Sequence, residues 1–199
     1  FIDQILPLDA ALVMVSPPDK YGYCSFGVSV DIVSAACRSA RKVIAQINPR
    51  MPVTSGHSFI HINEIDAWME SEEPLFELQP PEMDQITERI GQYVSMLIED
   101  GSTLQLGIGK IPDAVLHYLG GHKNLGIHTE MISDGIIDLI QKGVVNTRRK
   151  TFHRGKTITT FCMGSQRLYD FVDRNPHVEF FPSEHVNSPA NIARNDNMV

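Results

Sequence analysis

The sequence has no excess of positive charge. Its 199 residues include 17 lysines and arginines against 24 aspartates and glutamates, a formal net charge of -7 at pH 7. Binding to nucleic-acid phosphates requires a basic surface, so no nucleic-acid partner is expected. The densest basic cluster, Arg148-Arg149-Lys150, is predicted to be a solvated loop.

Cysteines and metal motifs are also scarce. Cys24, Cys37 and Cys162 form no CxxC pair and no even-numbered framework, which argues against a disulfide scaffold and favours a reducing cytoplasm. The eight histidines include no HExxH motif. His128 and Glu130 would share one side of an extended strand but lack further ligands, so no metal site is expected.

Long apolar runs are missing as well. No stretch approaches the roughly 20 residues that span a bilayer, and the start lacks a signal-peptide pattern, so we expect a soluble protein with no membrane partner. A hydrophobic content of 42% with 21% charged residues is typical of a globular chain. Because the sequence opens on Phe1 and stops at Met198-Val199, we expect it to be a piece of a longer polypeptide.

The first part of the chain predicts strand, loop, helix and strand. The apolar run "ALVMVSPP" (11–18) predicts a strand buried on both faces, and residues 31–41 have helical spacing behind a possible Asp31 cap. "KVIAQIN" (42–48) predicts the next strand, and "FIHINEIDAWME" a strand that turns into a short helical piece. Acidic and proline-rich residues then mark a domain boundary near residue 80. Residues 1–80 are expected to be the C-terminal part of a first α/β domain, and residues 81–199 the N-terminal part of a second.

The second predicted domain alternates helices and strands. A helical period from Met83 to Glu99 is closed by Asp100-Gly101. "STLQLGIG", "LGIHTEMI" and "TITTFCMG" follow as strands, separated or followed by the helical patterns "IPDAVLHYL", "DGIIDLIQKG" and "SQRLYDFVDRN". This alternation predicts an α/β fold of open, mostly parallel sheets with flanking helices.

Two loops are candidate binding sites, because ligands of open α/β sheets bind beyond the carboxyl ends of the strands. In "LGIGKIPDAV", Gly107 and Gly109 permit close backbone approach, and Pro112 suits the first helical position, so that the helix would direct its N–H groups at an anionic or polarised ligand. Glycines required only for a tight turn explain the pattern equally well.

The second loop contains Glu130, predicted to lie at the end of a strand and beside the Gly107 loop if the two strands are neighbours. This glutamate could be a nucleophile, a general base or a ribose ligand, or a structural carboxylate bonded to backbone N–H groups of a turn. Ser133 and Asp134 are predicted to cap the next helix. Asn187 in "VNSP" is by its pattern alone a turn-forming residue.

Four segments together resemble the acetyl-CoA hydrolase/transferase family, and within it the 4-hydroxybutyrate and butyrate or acetate CoA-transferases. The segments are "VMVSPPDKYGYCSFGVSVD", "LIEDGSTLQLGIGKIPDAVL", "LGIHTEMISDGIIDLIQKGVV" and "TFCMGSQRLYDF". The resemblance runs along essentially the whole chain. It implies a class I CoA-transferase fold, with two similar open α/β domains and an active site between them.

The resemblance also implies roles for individual residues. Glu130 matches the glutamate of the family motif G-I-H-[ST]-E-M, which carries an acyl-glutamyl anhydride and then a glutamyl-CoA thioester. Asn187 would donate to the oxyanion, although Ser188 stands where relatives commonly have histidine. Residues expected near CoA or substrate are Gly107, Ile108, Gly109, Lys110 and Pro112, together with Asp19, Tyr21 and Gly22 of the first domain.

The partners implied are an acyl-CoA and a short carboxylic acid, with CoA as a substrate and no tightly bound cofactor. A homodimer is expected from the family, as are segments beyond both ends of this chain that complete the pocket. Two alternatives stay open at this point. One is an acyl-CoA hydrolase, and the other is a non-catalytic CoA-binding module, which would have no need of Glu130.

Overall fold

Mostly parallel strands and the helices between them make up the architecture, seen in a computed structural model that describes residues 5–79 and 82–199. The strands in these ranges are β1 (Leu8–Val15), β2 (Tyr23–Ser25), β3 (Ala40–Ile47), β4 (Ser55–Gly56), β5 (Phe59–His61), β6 (Ala67–Glu70), β7 (Thr103–Leu104), β8 (Gly126–Ile127), β9 (Met131–Ile132), β10 (Thr157–Thr159), β11 (Phe161–Cys162) and β12 (Val178–Phe180). The helices are α1 (Val33–Ser39), α2 (Gln85–Ser95), α3 (Lys110–Tyr118), α4 (Gly135–Gln141), α5 (Gln166–Val172), α6 (Ser183–Val186) and α7 (Pro189–Ile192). Strands β2 and β5 form an antiparallel pair.

The first sheet has the order β1-β3-β6, with both pairs parallel. Helix α1 is the crossover between β1 and β3, and the carboxylate of Asp31 accepts from the backbone N–H groups of Ile32 and Val33 where the helix starts. The prediction that this strand is buried on both faces is wrong. Val15 is fully buried, whereas Leu12 is 76% exposed, because successive side chains point to opposite faces and only one face of β1 is covered in the described residues.

Four strands of the second part of the chain and β4 of the first part form a parallel arrangement in the order β7, β8, β10, β12 and β4. Strands β8 and β10 are joined by a bridge between His128 and Ile158. Fully buried side chains fill the space between these strands and helices α3, α4 and α5, among them Leu119, Ile132, Ile136, Leu168 and Phe180. The predicted α/β fold with mostly parallel sheets and flanking helices is confirmed.

Two segments predicted as continuous strands are each interrupted, and the two interruptions lie side by side in the sheet. "LGIHTEMI" forms β8 and β9, and "TITTFCMG" forms β10 and β11. Met131 pairs with Phe161 in the same register as His128 with Ile158, so the four short strands are one parallel pair with a break in the middle. Glu130 lies in this break.

Helix α2 packs through small residues and not through its apolar stripe. A Cβ placed on Gly91 would lie 2.8 Å from the backbone of Ala114, so α2 and α3 are in close backbone contact. Ile86 and Tyr93 on the apolar side are 73% and 58% exposed. The helix is also shorter than the predicted 83–99, because it ends at Ser95.

The predicted domain boundary falls on residues 80 and 81, which lie outside the described ranges, so the division at residue 80 stays a prediction. One sheet contains strands from both predicted domains, since β4 pairs with β12. In the described residues no helix combines the length and the apolar character needed to cross a membrane.

Candidate active site

The pairing of β7 with β8 brings the two candidate loops together. Thr103 lies opposite Gly126 and Leu104 opposite Ile127, in parallel register. The backbone N–H of His128 then donates to the carbonyl of Leu104 at 3.0 Å. Because parallel neighbours end at the same edge, the loop after β7 runs beside the segment that contains Glu130, as the sequence predicted.

A buried threonine next to Glu130 binds the glycine loop. The Oγ1 of Thr129 accepts from the backbone N–H of Leu106 at 2.8 Å and donates to the carbonyl of Leu106 at 3.0 Å. Thr129 is fully buried. The residue immediately before Gly107 is therefore held by the residue immediately before Glu130.

The backbone of Glu130 is held by an array of donors. Its carbonyl oxygen accepts from the N–H and the Oγ1 of Thr160, each at 2.9 Å, and from the N–H of Phe161 at 3.2 Å. The single hydroxyl proton of Thr159 is shared between this carbonyl and that of Phe161, each 2.9 Å from Oγ1. These groups lie in and around the matching break between β10 and β11. The position of the Glu130 backbone is consequently fixed from the neighbouring strand.

In contrast to its hydrogen-bonded backbone, the side chain of Glu130 has no bonding partner in the described residues. It is exposed, and within residues 5–79 and 82–199 no hydrogen-bond or ion-pair partner binds its carboxylate. A structural carboxylate bonded to N–H groups of a turn, the alternative left open by the sequence, is not the arrangement observed.

The Gly107 loop ends at the start of α3. Gly109 has φ 117° and ψ -170°, a combination that essentially only glycine adopts, and it is the N-cap of the helix. The side chains of Ile108 and Lys110 are exposed. Pro112 is the third helical residue, whereas the sequence predicted the first, because α3 already begins at Lys110; its missing N–H costs nothing there, since the first four N–H groups of a helix have no intrahelical partner.

Asn187 is linked to the Glu130 segment through a buried histidine. The Nε2 of His128 donates to the carbonyl of Val186 at 2.8 Å, and the next residue, Asn187, is exposed at the end of α6. Its backbone N–H donates to the carbonyl of Ser183 at 2.8 Å. Burial lowers the pKa of His128, which favours the neutral ring with Nε2 protonated.

Comparison with known proteins identifies the family of this chain. The N-terminal domain model of the acetyl-CoA hydrolase/transferase family matches residues 1–78, and its C-terminal domain model matches residues 164–199. The chain belongs to the acetyl-CoA hydrolase/transferase family.

Among its relatives is the 4-hydroxybutyrate coenzyme A transferase of Clostridium kluyveri, 55% identical over 100% of this chain and 46% of that protein. The succinyl-CoA:cyclohexane-1-carboxylate CoA transferase of Geobacter metallireducens is 48% identical over 97% of this chain and 44% of the relative. The crystal structure of 4-hydroxybutyrate CoA-transferase from Porphyromonas gingivalis has a TM-score of 0.94 and 48% identity, covering 98% of this chain and 50% of that one. The chain therefore spans about half the length of the relatives it matches.

Three of the predicted site residues, Asp19, Tyr21 and Gly22, do not lie in contact with the Glu130 segment in the described residues. The carboxylate of Asp19 accepts from the N–H groups of Tyr21 and Tyr23 at 2.8 and 2.9 Å, and these bonds lower its pKa. Gly22 has φ 88° and lies against the ring of His61. None of the described contacts joins this turn to Glu130, and its role beside the substrate stays a prediction.

Another segment of the first half does reach the site, although the sequence analysis predicted no site role for it. The N–H groups of Val30 and Asp31 donate to the carbonyl of Thr160 at 3.0 and 3.3 Å, and the N–H of Cys162 donates to the carbonyl of Val28 at 2.9 Å. Residues 28–31 thus support the same threonine that binds the Glu130 carbonyl. Their alternating "VSVD" pattern carried no signal for this pairing.

Asp134 occupies the N-cap position of α4, as predicted, but neither its side chain nor that of Ser133 makes a capping hydrogen bond. Ser133 donates from Oγ to the carboxylate of Asp113 at 2.8 Å, and Asp134 accepts from the backbone N–H of Ser165 at 2.8 Å. Neither side chain bonds a free N–H of α4. They connect the start of α4 to α3 and α5, and burial raises the pKa of Asp113.

Lys150 is buried, contrary to the predicted solvated loop. It is 2% exposed, and its Nζ donates to the carbonyls of Ile127 at 2.7 Å and Lys156 at 2.8 Å. Burial lowers its pKa to about 7. Gly126 makes room for the stem of this side chain, since a Cβ there would lie 2.5 Å from Cγ of Lys150. The glycine inside a strand was the available signal, because such glycines often mark close approach.

No metal-binding cluster is present in the part of the chain that the structure describes, taking three or more histidine, cysteine, aspartate or glutamate side chains as the minimum. The ring of His128 is engaged by Val186, so it does not pair with Glu130.

Proposed function

We propose that the full-length protein containing this chain is a CoA-transferase. It would move CoA between a short-chain acyl-CoA, such as 4-hydroxybutyryl-, butyryl- or acetyl-CoA, and a short carboxylic acid. The observation that carries the proposal is the contrast at Glu130, where a tightly held backbone bears an exposed, unbonded carboxylate beside a glycine loop.

The proposed reaction begins with attack of the Glu130 carboxylate on the thioester carbonyl. The new C–O bond forms an acyl-glutamyl anhydride, the C–S bond breaks, and CoA leaves as the thiolate. The thiolate then attacks the glutamyl carbonyl and releases the original acyl group as a free carboxylate, leaving a glutamyl-CoA thioester. An acceptor acid reverses both steps and leaves as its own CoA thioester.

Two features support this chemistry. A carboxylate is a weak nucleophile, so it benefits from precise placement, which the donors around the Glu130 carbonyl favour. The oxyanion formed at each carbonyl requires N–H donors, and the first residues of α3, Lys110 and Ile111, have backbone N–H groups with no partner within the helix. The amide of Asn187 is the proposed second donor.

The relatives' names support the proposed substrate class, because they pair CoA transfer with short or compact carboxylic acids. CoA enters as a substrate, and the mechanism requires no tightly bound cofactor or metal. Assembly as a homodimer and a cytoplasmic location remain part of the proposal.

The test traps the covalent intermediates on the full-length protein. The protein is incubated with butyryl-CoA, treated with borohydride or hydroxylamine, digested and mapped by mass spectrometry. We expect modification at Glu130 in the wild type, none in Glu130→Gln, and full modification in the control Glu99→Gln, whose side chain is exposed on the surface. A wild type that is never modified at Glu130, or a fully active Glu130→Gln variant, would contradict the mechanism and favour a non-catalytic CoA-binding module.

Hydrolysis is the alternative reaction, since the family model covers both acetyl-CoA hydrolases and transferases. The two differ in whether water or an acid resolves the glutamyl thioester. Free CoA released from acyl-CoA without added acid would identify a hydrolase. Strict dependence on an acceptor acid is the result expected here.

A further inference from the structure

Thr129 forms an unusual contact at the end of the β7–β8 pair. The paired residues end at Leu104 and Ile127, with one more backbone bond from His128 to Leu104. Beyond it, the single hydroxyl of Thr129 bonds both backbone groups of Leu106, at 2.8 Å to N and 3.0 Å to O. A side chain thereby substitutes for the backbone partner that a continuing strand would supply.

Leu106 is the last partly buried residue before the exposed loop. Gly107, Ile108, Gly109 and Lys110 are all exposed. The loop is thus anchored at one end by Thr129 and at the other by α3. The residue that anchors it is adjacent in sequence to Glu130.

We propose that Thr129 is a positioning residue that sets the distance between the Gly107–Gly109 loop and the Glu130 carboxylate. This inference rests on the proposed function, in which a thioester carbonyl bound against the loop is attacked by Glu130. By bonding Leu106, the Thr129 hydroxyl would fix the distance between the Glu130 carboxylate and a thioester carbonyl bound against the loop. Small misplacements of reacting groups reduce rates strongly, so the contact has a kinetic consequence.

Thr129→Val tests the contact with almost no change in side-chain shape. Valine keeps the buried volume but loses both hydrogen bonds to Leu106. We expect single-turnover acylation of Glu130 at saturating butyryl-CoA to slow roughly tenfold, as anticipated for the loss of two hydrogen bonds that hold a reacting geometry. Thr129→Ser keeps the hydroxyl and should restore most of the rate.

Thr103→Val is the matched control. Thr103 is also fully buried, on the adjacent strand β7, and in the described residues its Oγ1 has no hydrogen-bond partner. The same substitution there removes a hydroxyl without removing a bond, so the acylation rate should stay at the wild-type value. A general effect of replacing buried threonine would instead slow both variants equally.

A second measurement is independent of activity. The amide of Leu106 donates to Thr129, so its hydrogen exchange should accelerate in Thr129→Val and stay slow in Thr103→Val and Thr129→Ser. If Thr129→Val does not fold, Thr129→Ala removes the hydroxyl with a smaller side chain and is measured in the same way.

The outcomes separate this inference from the proposed function. Suppose that the wild type is acylated at Glu130, and that Thr129→Val has the same acylation rate and the same Leu106 hydrogen exchange as the wild type. This result would overturn the positioning role of Thr129 but would not contradict the proposed transferase function. Faster Leu106 exchange with an unchanged acylation rate would overturn it as well, since the contact would then be only structural. A wild type that forms no adduct at Glu130 would contradict the proposed function and, with it, the role of Thr129.

Discussion

Replacing Gly109 with alanine should strain the loop beside Glu130. Gly109 has φ 117° and ψ -170°, a region where an L-residue costs on the order of 1–3 kcal/mol. A Cβ at this position would meet nothing within 4 Å, so steric overlap adds nothing to the cost. We expect Gly109→Ala to lower the free energy of unfolding by about 1–3 kcal/mol.

Alanine substitutions at two other glycines are controls that distinguish backbone strain from an effect on the site. Gly120 also has open space around its Cβ position but no positive φ, so Gly120→Ala should be neutral or slightly stabilising. Gly155 has open space and φ 82°, in the loop that precedes β10, so Gly155→Ala should cost about 1 kcal/mol through strain alone. Urea unfolding of the three full-length variants measures these differences directly.

Steady-state kinetics of the same variants tests the loop as a CoA contact. Gly109→Ala should raise KM for acyl-CoA or lower kcat, whereas Gly155→Ala should lose stability with unchanged kinetics. The reasoning about strain is refuted if Gly109→Ala is as stable as Gly120→Ala and equally active. The assignment of the loop to CoA is refuted if Gly109→Ala and Gly155→Ala lose stability alike and both keep wild-type kinetics.

Two further predictions concern stability. Burial lowers the pKa of Lys150 to about 7 from 10.5, so between these values the unfolded chain binds more protons, and the free energy of unfolding should rise with pH. Lys150→Met should therefore show a smaller increase in the free energy of unfolding between pH 7 and pH 9 than the wild type, measured by urea unfolding. The same increase in variant and wild type would contradict this prediction. Gly91→Val should force α2 away from α3, since a Cβ on residue 91 would lie 2.8 Å from the backbone of Ala114, and should cost about 1–3 kcal/mol by urea unfolding; wild-type stability would show that the helices separate freely.

The order of elements was predictable because local patterns determine it. The apolar run before Pro17 gave β1, and the alternation after residue 100 gave the parallel arrangement around Glu130. The adjacency of the two loops followed from the tendency of successive strands to pair, which β7 and β8 obey.

Several of the errors concern polar groups whose partners are far away in sequence. Asp134 bonds Ser165, 31 residues later, and Lys150 bonds Ile127, 23 residues earlier, so neither burial nor partner could be read from neighbouring residues. The break at Glu130 was hidden for the same reason. "LGIHTEMI" has the composition of a continuous strand, and the threonines that stabilise the break lie at 159 and 160.

The carboxylates of this chain differ in what their hydrogen bonds stabilise. Asp19 and Asp84 accept from backbone N–H groups, which lower their pKa and tie each side chain to a turn or helix start. At Glu130 the arrangement is reversed, because the donors bind the backbone carbonyl and leave the side chain exposed. A structural carboxylate needs its side chain bonded, whereas a nucleophile needs a fixed backbone and a free oxygen. That reversal supports the proposed role of Glu130 as the nucleophile, with Thr159 and Thr160 at its backbone carbonyl and Thr129 holding the neighbouring glycine loop.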